Sequence, residues 1–239
     1  MKAMTRRAIL IGASPADDPL QLVAVDIALW GEFLQCDEGG AWEESEILDA
    51  SRFGRGALLS ELAQANSYDY ALIVFAGHGF TTKTDLPWTE LNLILESGET
   101  VLERELNPGT PRCCIVLDCC RARGENIEAL MEHRKLASLE ETYAAVRSRE
   151  AYDTALEQSE MGAVSVYATG DNSAAADKRS FSQHLIRSAT NWSHSNFGVL
   201  NIKDAVNIGT EELIKTYPQQ HPEYQGGRRL KHYPFAVSV

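Results

Sequence analysis

The chain alternates between short continuous apolar runs and segments whose apolar residues recur at helical spacing. Continuous runs predict buried strands at 7–13, 68–77, 113–119 and 163–170. After the first run, apolar residues recur every four or three positions at Val23, Ile27, Trp30 and Leu34. This spacing predicts a helix over 19–35. Strands that alternate with helices are typical of an α/β fold, so we expect a mostly parallel central sheet of about six strands with helices on both faces.

Weaker patterns predict the remaining elements, which are a short strand within 45–50, a helix over 55–66, a hairpin over 91–103, helices over 180–191 and 201–217, and a last strand over 232–239. Residues 121–161 are rich in Glu, Arg, Ala and Leu and have no long apolar run. We interpret them as one or two surface helices or a mobile insertion. The prediction is one domain over 1–239 with a charged insertion at about 121–161.

Composition and charge exclude several functional classes. Hydrophobic residues make up 44% of the 239 positions and charged residues 23%, as in a globular protein. The formal charge of −12 argues against nonspecific nucleic-acid binding, which needs a basic surface. No apolar run approaches the roughly 20 residues that cross a bilayer, and the first run is too short for a signal peptide. We therefore expect no nucleic-acid or membrane partner and a cytoplasmic location.

Four of the five cysteines fall within one segment, CCIVLDCC at 113–120. No CxxC pair with a matching Cys or His pair is present, so we expect neither a structural metal site nor a cofactor. Cys113 and Cys114 are interpreted as small buried hydrophobic residues of a core strand. For Cys119, burial beside Cys120 and a redox pair with it both stay open.

A histidine and a cysteine each follow a strongly apolar strand. His78 stands between Gly77 and Gly79, and Cys120 follows the run at 113–119. Because the carboxyl ends of parallel strands meet at one edge of a sheet, the two side chains would meet if these strands are neighbours. An imidazole beside a thiol takes its proton and later protonates a leaving amine. The backbone amides of Gly79 and Cys120 are candidates for an oxyanion hole.

The segments YDYALIVFAGHGF and CCIVLDCCRAR resemble the two signature segments of the caspase-like cysteine peptidases, which include caspases, metacaspases and paracaspases. In that family one apolar strand runs into G-H-G with the catalytic histidine, and another runs into D-x-C with the nucleophile. The resemblance extends over most of the chain except 121–161. It implies a cysteine endopeptidase with His78 and Cys120 as the catalytic pair, and the D-x-C register selects Cys120 rather than Cys119.

The resemblance also implies what the enzyme cleaves. In metacaspases and paracaspases, the aspartate of D-x-C and an aspartate on the first helix line the pocket for the residue before the cut. These positions match Asp118 and Asp26, with Asp171 as a third candidate. We therefore expect cleavage after Arg, with Lys second. The alternative interpretations are that Asp26 is a solvated helix residue and that Asp118 forms a turn at the end of its strand. The direction of the Arg121 side chain stays open.

Activation and biological role are also implied by the resemblance alone. Family members are often cut in the segment after the nucleophile, where the basic residues are either self-cleavage sites or solvated helix charges: Arg123, Arg134, Lys135, Arg147 and Arg149. An upstream protease or regulator would then control a zymogen that acts in antiviral defence or regulated cell death. The alternatives are a catalytically silent caspase-like binding module, a zymogen held by a partner, or a cysteine hydrolase that acts on a small amide.

Overall fold

The structure, a computed structural model, describes residues 4–83, 89–119, 143–170 and 181–239. Its strands are β1 Arg6–Ala13, β2 Ile47–Asp49, β3 Tyr70–Gly77, β4 Gly79–Lys83, β5 Thr89–Ile94, β6 Thr100–Leu102, β7 Arg112–Cys119, β8 Gly162–Tyr167, β9 Gly198–Asn201, β10 Glu223–Gln225 and β11 Pro234–Ser238. Its helices are α1 Val23–Gln35, α2 Arg55–Ala65, α3 Tyr143–Gln158, α4 Phe181–Ser193 and α5 Ile202–Thr216.

The central sheet has six strands in the order β10-β8-β7-β3-β1-β2. Five of them run parallel, and β10 pairs antiparallel with β8 at one edge. The predicted α/β class with a mostly parallel sheet of about six strands is therefore confirmed. The centre of the sheet is formed by β1, β3 and β7, which are the three most apolar runs of the sequence.

The central strands read as unbroken apolar runs because both faces of the sheet are covered. Successive side chains of a strand point to opposite faces. In β7, Cys114 and Val116 pack with α1, α3, α4 and α5, whereas Cys113 and Ile115 pack with α2 and strand β5. Helices thus lie on both faces, as predicted, and a small antiparallel sheet of order β4-β5-β6 shares the second face with α2.

Some elements differ from the sequence-based expectation. The hairpin over 91–103 is confirmed as β5 and β6, but β4 joins it, and the short strands β9 and β10 were not predicted. Helix α3 falls in the segment interpreted as a surface helix or a mobile insertion. Its Tyr152 and Leu156 are 2% and 0% exposed, so this part of the segment is built into the core. Residues 121–142 lie outside the described part of the chain.

A buried ionic cluster joins α3 to the amino-terminal end of β1. The Arg6 guanidinium is fully buried and lies 3.1 Å from carboxylate oxygens of both Glu46 and Asp153. Its carbon Cζ lies 4.4 Å from the ring centroid of Trp42 and 5.4 Å from that of Tyr152. We call these five residues the amino-end cluster. Pairing and stacking compensate the cost of burying the Arg6 charge.

Across the described ranges, no helix is long and apolar enough to cross a membrane.

Candidate active site

His78 directly follows β3 at the carboxyl end of the central sheet. The residue before it, Gly77, pairs with Ala13 of β1 on one side and with Cys119 of β7 on the other. A Cβ atom at position 77 would lie 2.7 Å from the Ala13 carbonyl oxygen. Since real Cβ atoms do not approach a backbone oxygen so closely, only glycine lets β1 and β3 meet here. The glycine of the G-H-G motif therefore fixes where the histidine leaves the sheet.

The His78 imidazole is held by the loop that follows β1. Its Nε2 atom lies 2.8 Å from the Asp18 carbonyl oxygen and 3.4 Å from the Asp18 carboxylate oxygen Oδ2. A carbonyl oxygen can only accept a hydrogen bond, so Nε2 carries the hydrogen. In the neutral imidazole this leaves Nδ1 with the lone pair, which is the form a general base needs. Sequence reasoning missed Asp18, which lies between the strand predicted at 7–13 and the helix predicted over 19–35.

The predicted nucleophile, Cys120, lies outside the described residues, but the strand before it is described in full. Strands β3 and β7 are neighbours in the sheet, and Gly77 pairs with Cys119 in parallel register. The residues that precede His78 and Cys120 therefore lie side by side on adjacent strands. The expectation that these two strands are neighbours is confirmed.

The other cysteines of the segment belong to the core. Cys113, Cys114 and Cys119 are at most 3% exposed. Burial raises the pKa of the Cys113 thiol to about 12 and raises the pKa of Cys114 further above its usual value. Thiols with such pKa values stay protonated and unreactive at neutral pH. Cys113 and Cys114 are thus the small buried hydrophobic residues that the sequence predicted.

Asp26 and Asp118 both reach the first turn of helix α4. A carboxylate oxygen of Asp118 accepts a hydrogen bond of 2.7 Å from the Ser182 backbone N–H, and Asp26 accepts one of 2.9 Å from the Gln183 side-chain amide. Trp30 fixes the same turn, since its Nε1 donates to the Ser182 hydroxyl at 2.9 Å. Asp26 and Asp118 are only 3% and 8% exposed. The reading of Asp26 as a solvated helix residue is therefore wrong.

The two aspartates start from different elements and converge at the same end of the sheet. Asp118 is the penultimate residue of β7, and Asp26 lies in the first turn of α1. A helix N-terminus carries partial positive charge, so the first turn of α4 stabilises the Asp118 carboxylate as an anion. By accepting a hydrogen bond from the first turn of α4, Asp118 also stabilises the helix, which is a structural role. Asp171, the third predicted pocket residue, lies outside the described ranges.

Gly79, a predicted oxyanion-hole residue, begins β4 and is buried. It pairs with Leu93 of β5, and the carbonyl oxygen of His78 accepts a hydrogen bond of 3.0 Å from the Ile94 backbone N–H. The backbone on both sides of the histidine is thus anchored, by the central sheet before it and by the small sheet after it. The oxyanion role of Gly79 and Cys120 stays a prediction.

Two of the five candidate self-cleavage sites lie among the described residues. Arg147 and Arg149 lie within α3. The Arg149 guanidinium donates to both carboxylate oxygens of Glu46, at 2.7 and 2.8 Å. Cleavage at either residue would require α3 to unwind, because proteases bind their substrates as extended chains. The other candidates lie outside the described residues: Arg123, Arg134 and Lys135.

Within the part of the chain that the structure describes, no group of three or more His, Cys, Asp or Glu residues could hold a metal ion.

Comparison with known proteins identifies the fold. No protein-family model matches the sequence. The search of curated proteins finds no sequence match. Among solved structures, caspase-1 from Spodoptera frugiperda matches with a TM-score of 0.60 and 12% identity, over 100% of this chain and 92% of that chain. A protein from Geobacter sulfurreducens matches with a TM-score of 0.60 and 16% identity, over 98% of this chain and 100% of that chain. The fold is therefore caspase-like, as the motifs predicted.

Proposed function

We propose that this chain is a cysteine endopeptidase that cleaves proteins after a basic residue, with His78 and Cys120 as the catalytic pair. One observation carries the proposal. His78 and Cys120 each directly follow one of two residues, Gly77 and Cys119, that pair across neighbouring parallel strands. The caspase-like fold supports this assignment, because ligand sites of such sheets lie at the carboxyl ends of the strands.

The chemistry follows from the hydrogen bonds of the imidazole. Asp18 holds the hydrogen on Nε2, so Nδ1 accepts the proton of the Cys120 thiol. The thiolate attacks the carbonyl carbon of the scissile bond, and the backbone amides of Gly79 and Cys120 bind the oxygen that becomes negative. His78 then gives the proton to the leaving amine, and a thioester forms. Water hydrolyses the thioester, with His78 again as the base.

Selection of a basic residue is assigned to Asp26 and Asp118, with Asp171 as a third member. A guanidinium or ammonium group of the substrate would be attracted by the two carboxylates that reach one helix turn at this end of the sheet. Arginine is expected to exceed lysine because its planar fork donates to two carboxylate oxygens at once. The partner is therefore a protein substrate with Arg, or less favourably Lys, before the cut.

Regulation is proposed to act through the segment after the nucleophile. Cleavage at Arg123, Arg134 or Lys135, by the enzyme itself or by an upstream protease, would convert a zymogen to the active form. The fixed Arg149–Glu46 pair favours these three positions over Arg147 and Arg149. A role in antiviral defence or regulated cell death, in the cytoplasm, completes the proposal.

The decisive experiment compares fluorogenic peptides with Arg, Lys or Asp before the scissile bond. Wild type, Cys120→Ala and the matched neighbour variant Cys119→Ala would be measured side by side. We expect cleavage after Arg by wild type and by Cys119→Ala, and none by Cys120→Ala. Activity that survives in Cys120→Ala would reject the nucleophile. If wild type is silent and also fails to react with an arginyl probe carrying a thiol-reactive group, the silent binding module replaces the peptidase.

The acidic pocket is tested separately from the nucleophile. In Asp118→Asn and Asp26→Asn the carboxylate charge is lost but an acceptor oxygen stays. We expect the preference for Arg over the uncharged isostere citrulline to fall about tenfold or more in each variant. Asp17→Asn, in the exposed loop beside Asp18, is the control and should keep the preference. Cleavage after Asp by wild type would agree with the peptidase proposal but would contradict the proposed role of Asp26 and Asp118 in binding a basic residue.

A further inference from the structure

A second concave site lies away from the histidine, at the edge of the central sheet. Strand β10 and the loop after it form an open cleft of about 810 Å³ against the start of α5. Its walls include Tyr224, the glycines 226 and 227, and the basic residues Lys203, Arg228, Arg229 and His232. The volume lies within the range of about 300–1,000 Å³ that is usual for small-molecule sites.

The charge of this cleft is opposite to that of the protein. The chain has a formal charge of −12, yet no described acidic residue lines the cleft. Among the described residues, no ion pair involves Lys203, Arg228 or Arg229. Two carboxylates lie near the cleft without lining it: Asp204 accepts from the Asn201 amide at 2.8 Å, and Glu160 accepts at 3.1 Å from the backbone N–H of Leu230, a residue of the cleft wall.

Arg229 is held rigidly as part of the cleft wall. Its guanidinium donates to the carbonyl oxygens of Gly226, Met161 and Ala163, at 2.9, 3.0 and 3.4 Å, and its Cζ lies 5.1 Å from the Tyr233 ring centroid. These acceptors are neutral, so they fix the position of the positive charge without cancelling it. A fixed cation loses little conformational entropy when an anion binds near it.

The remaining wall of the cleft is aromatic, and the direction of the His232 pKa shift is the one that nearby positive charge produces. The Tyr224 hydroxyl and the His232 Nδ1 atom are 2.8 Å apart, and the two rings meet edge to face with centroids 5.3 Å apart. The pKa of His232 is lowered, first by burial and then by the charge of Lys203. The Tyr224 ring beside two exposed cations suits a molecule with both a planar part and an anionic group.

The cleft lies at the end of the sheet opposite to His78. Arg229 binds carbonyl groups around the first residues of β8, and Gln225 of β10 pairs with Ser165 near that start. His78 follows the last residue of β3, which runs parallel with β8 on the far side of β7. A ligand in the cleft would therefore not occupy the candidate active site.

We propose that this cleft binds the phosphate group of a small phosphorylated molecule. A phosphate has up to two negative charges and several acceptor oxygens, which match the Lys203 ammonium and the free Arg228 guanidinium. A long polyanion such as RNA is disfavoured because it would extend beyond the cleft over a protein with a formal charge of −12. A compact anion that fits within the cleft avoids that repulsion.

The test is a calorimetric titration of the full chain at constant ionic strength. The probes are inorganic phosphate, adenosine monophosphate and a Glu-rich peptide, and His232 ring signals in NMR spectra locate the bound anion. Wild type would be compared with the double variant Lys203→Gln/Arg228→Gln. The control, Arg52→Gln/Arg187→Gln, removes the same charge from exposed positions elsewhere.

We expect saturable binding of the phosphate compounds, with His232 signals shifted, and affinity at least about tenfold weaker in the cleft double variant only. Equal affinity for both phosphate compounds would show that the site reads the phosphate alone, and tighter binding of adenosine monophosphate would show that the ring wall contributes. Absence of saturable phosphate binding, an equal loss in the control variant, or binding of the acidic peptide alone would overturn the proposal.

Discussion

Two buried polar clusters lie at opposite ends of the same parallel sheet, and they differ in the groups that their carboxylates contact. In the amino-end cluster the carboxylates lie against guanidinium groups: Arg6 lies 3.1 Å from both Glu46 and Asp153, and the adjoining Arg149 lies 2.7 Å from Glu46. At the carboxyl end, two buried carboxylates accept hydrogen bonds from the first turn of one helix. Asp26 and Asp118 converge on α4.

The difference separates a structural cluster from a candidate site. Burying a paired charge costs little beyond a hydrophobic replacement, and such pairs commonly hold elements together. Asp26 and Asp118 instead reach one helix turn at the carboxyl end of the parallel strands, where such sheets place their ligand sites. The amino-end cluster is therefore expected to affect stability alone, whereas groups at the carboxyl end are expected to affect catalysis.

The largest expected effect is on catalysis, from His78→Ala. Loss of the general base should lower kcat/KM for an arginyl peptide by about 10²- to 10⁴-fold. The melting temperature should stay near that of wild type, because the side chain is 22% exposed and its bonds are to the loop at Asp18. His194→Ala, whose side chain is 64% exposed, is the matched control and should keep full activity. If His78→Ala kept its activity, the imidazole could not be the general base of the proposed mechanism.

The next effect is on stability, from Arg6→Met. The variant leaves the partly buried Glu46 and Asp153 without their shared cation, and because Arg149 still binds Glu46 the free energy of unfolding should fall by about 3 kcal/mol, the lower end of the usual range. The neighbour Arg7 points to the other face and lies 3.9 Å from Glu61, so Arg7→Met should cost only about 0.5–1 kcal/mol. Denaturant unfolding measures both values. Equal losses of unfolding free energy in the two variants would contradict a special role for the buried ion pairs of Arg6. Loss of peptidase activity in a folded Arg6→Met variant would contradict the expectation that the amino-end cluster affects stability alone.

The comparison also shows which features a sequence makes predictable. The strands at the centre of the sheet and the positions of His78 and Cys120 at strand ends follow from local apolar runs and a general rule for parallel sheets. The role of Asp18 depends on a hydrogen bond to a residue far along the chain, for which no local pattern exists. The burial of Asp26 depends likewise on where α4 packs, since Gln183 supplies its partner.

Helix α3 illustrates a second limit. Its buried Tyr152 and Leu156 stand four positions apart on one face, but the nearest buried residues before and after them are Ser148 and Ser159, so the apolar pattern is too short to recognise. The helix joins the core partly through ions, with Arg149 bound to Glu46 and Asp153 beside Arg6. Ion pairs between distant segments leave no periodic pattern in a sequence, which is why this region was interpreted as a charged surface.

The smallest expected effect is the pH dependence of stability, to which the two acids of the amino-end cluster, Glu46 and Asp153, contribute with opposite signs. Burial alone would raise the pKa of Glu46, but hydrogen bonds from Arg149 and Arg6 outweigh it and lower that pKa below the usual 4.5. A lowered folded-state pKa gives stability that is present above about pH 4.5 and is lost as the pH falls through the folded value. Burial raises the pKa of Asp153, so its contribution has the opposite sign and weakens as the pH rises above 3.8. Glu46→Gln should therefore flatten the acid limb of the unfolding free energy, measured by denaturant titration between about pH 3 and pH 7, whereas the exposed Glu44→Gln should leave it unchanged. An acid limb as steep in Glu46→Gln as in wild type would mean that the paired cluster is not what acid disrupts.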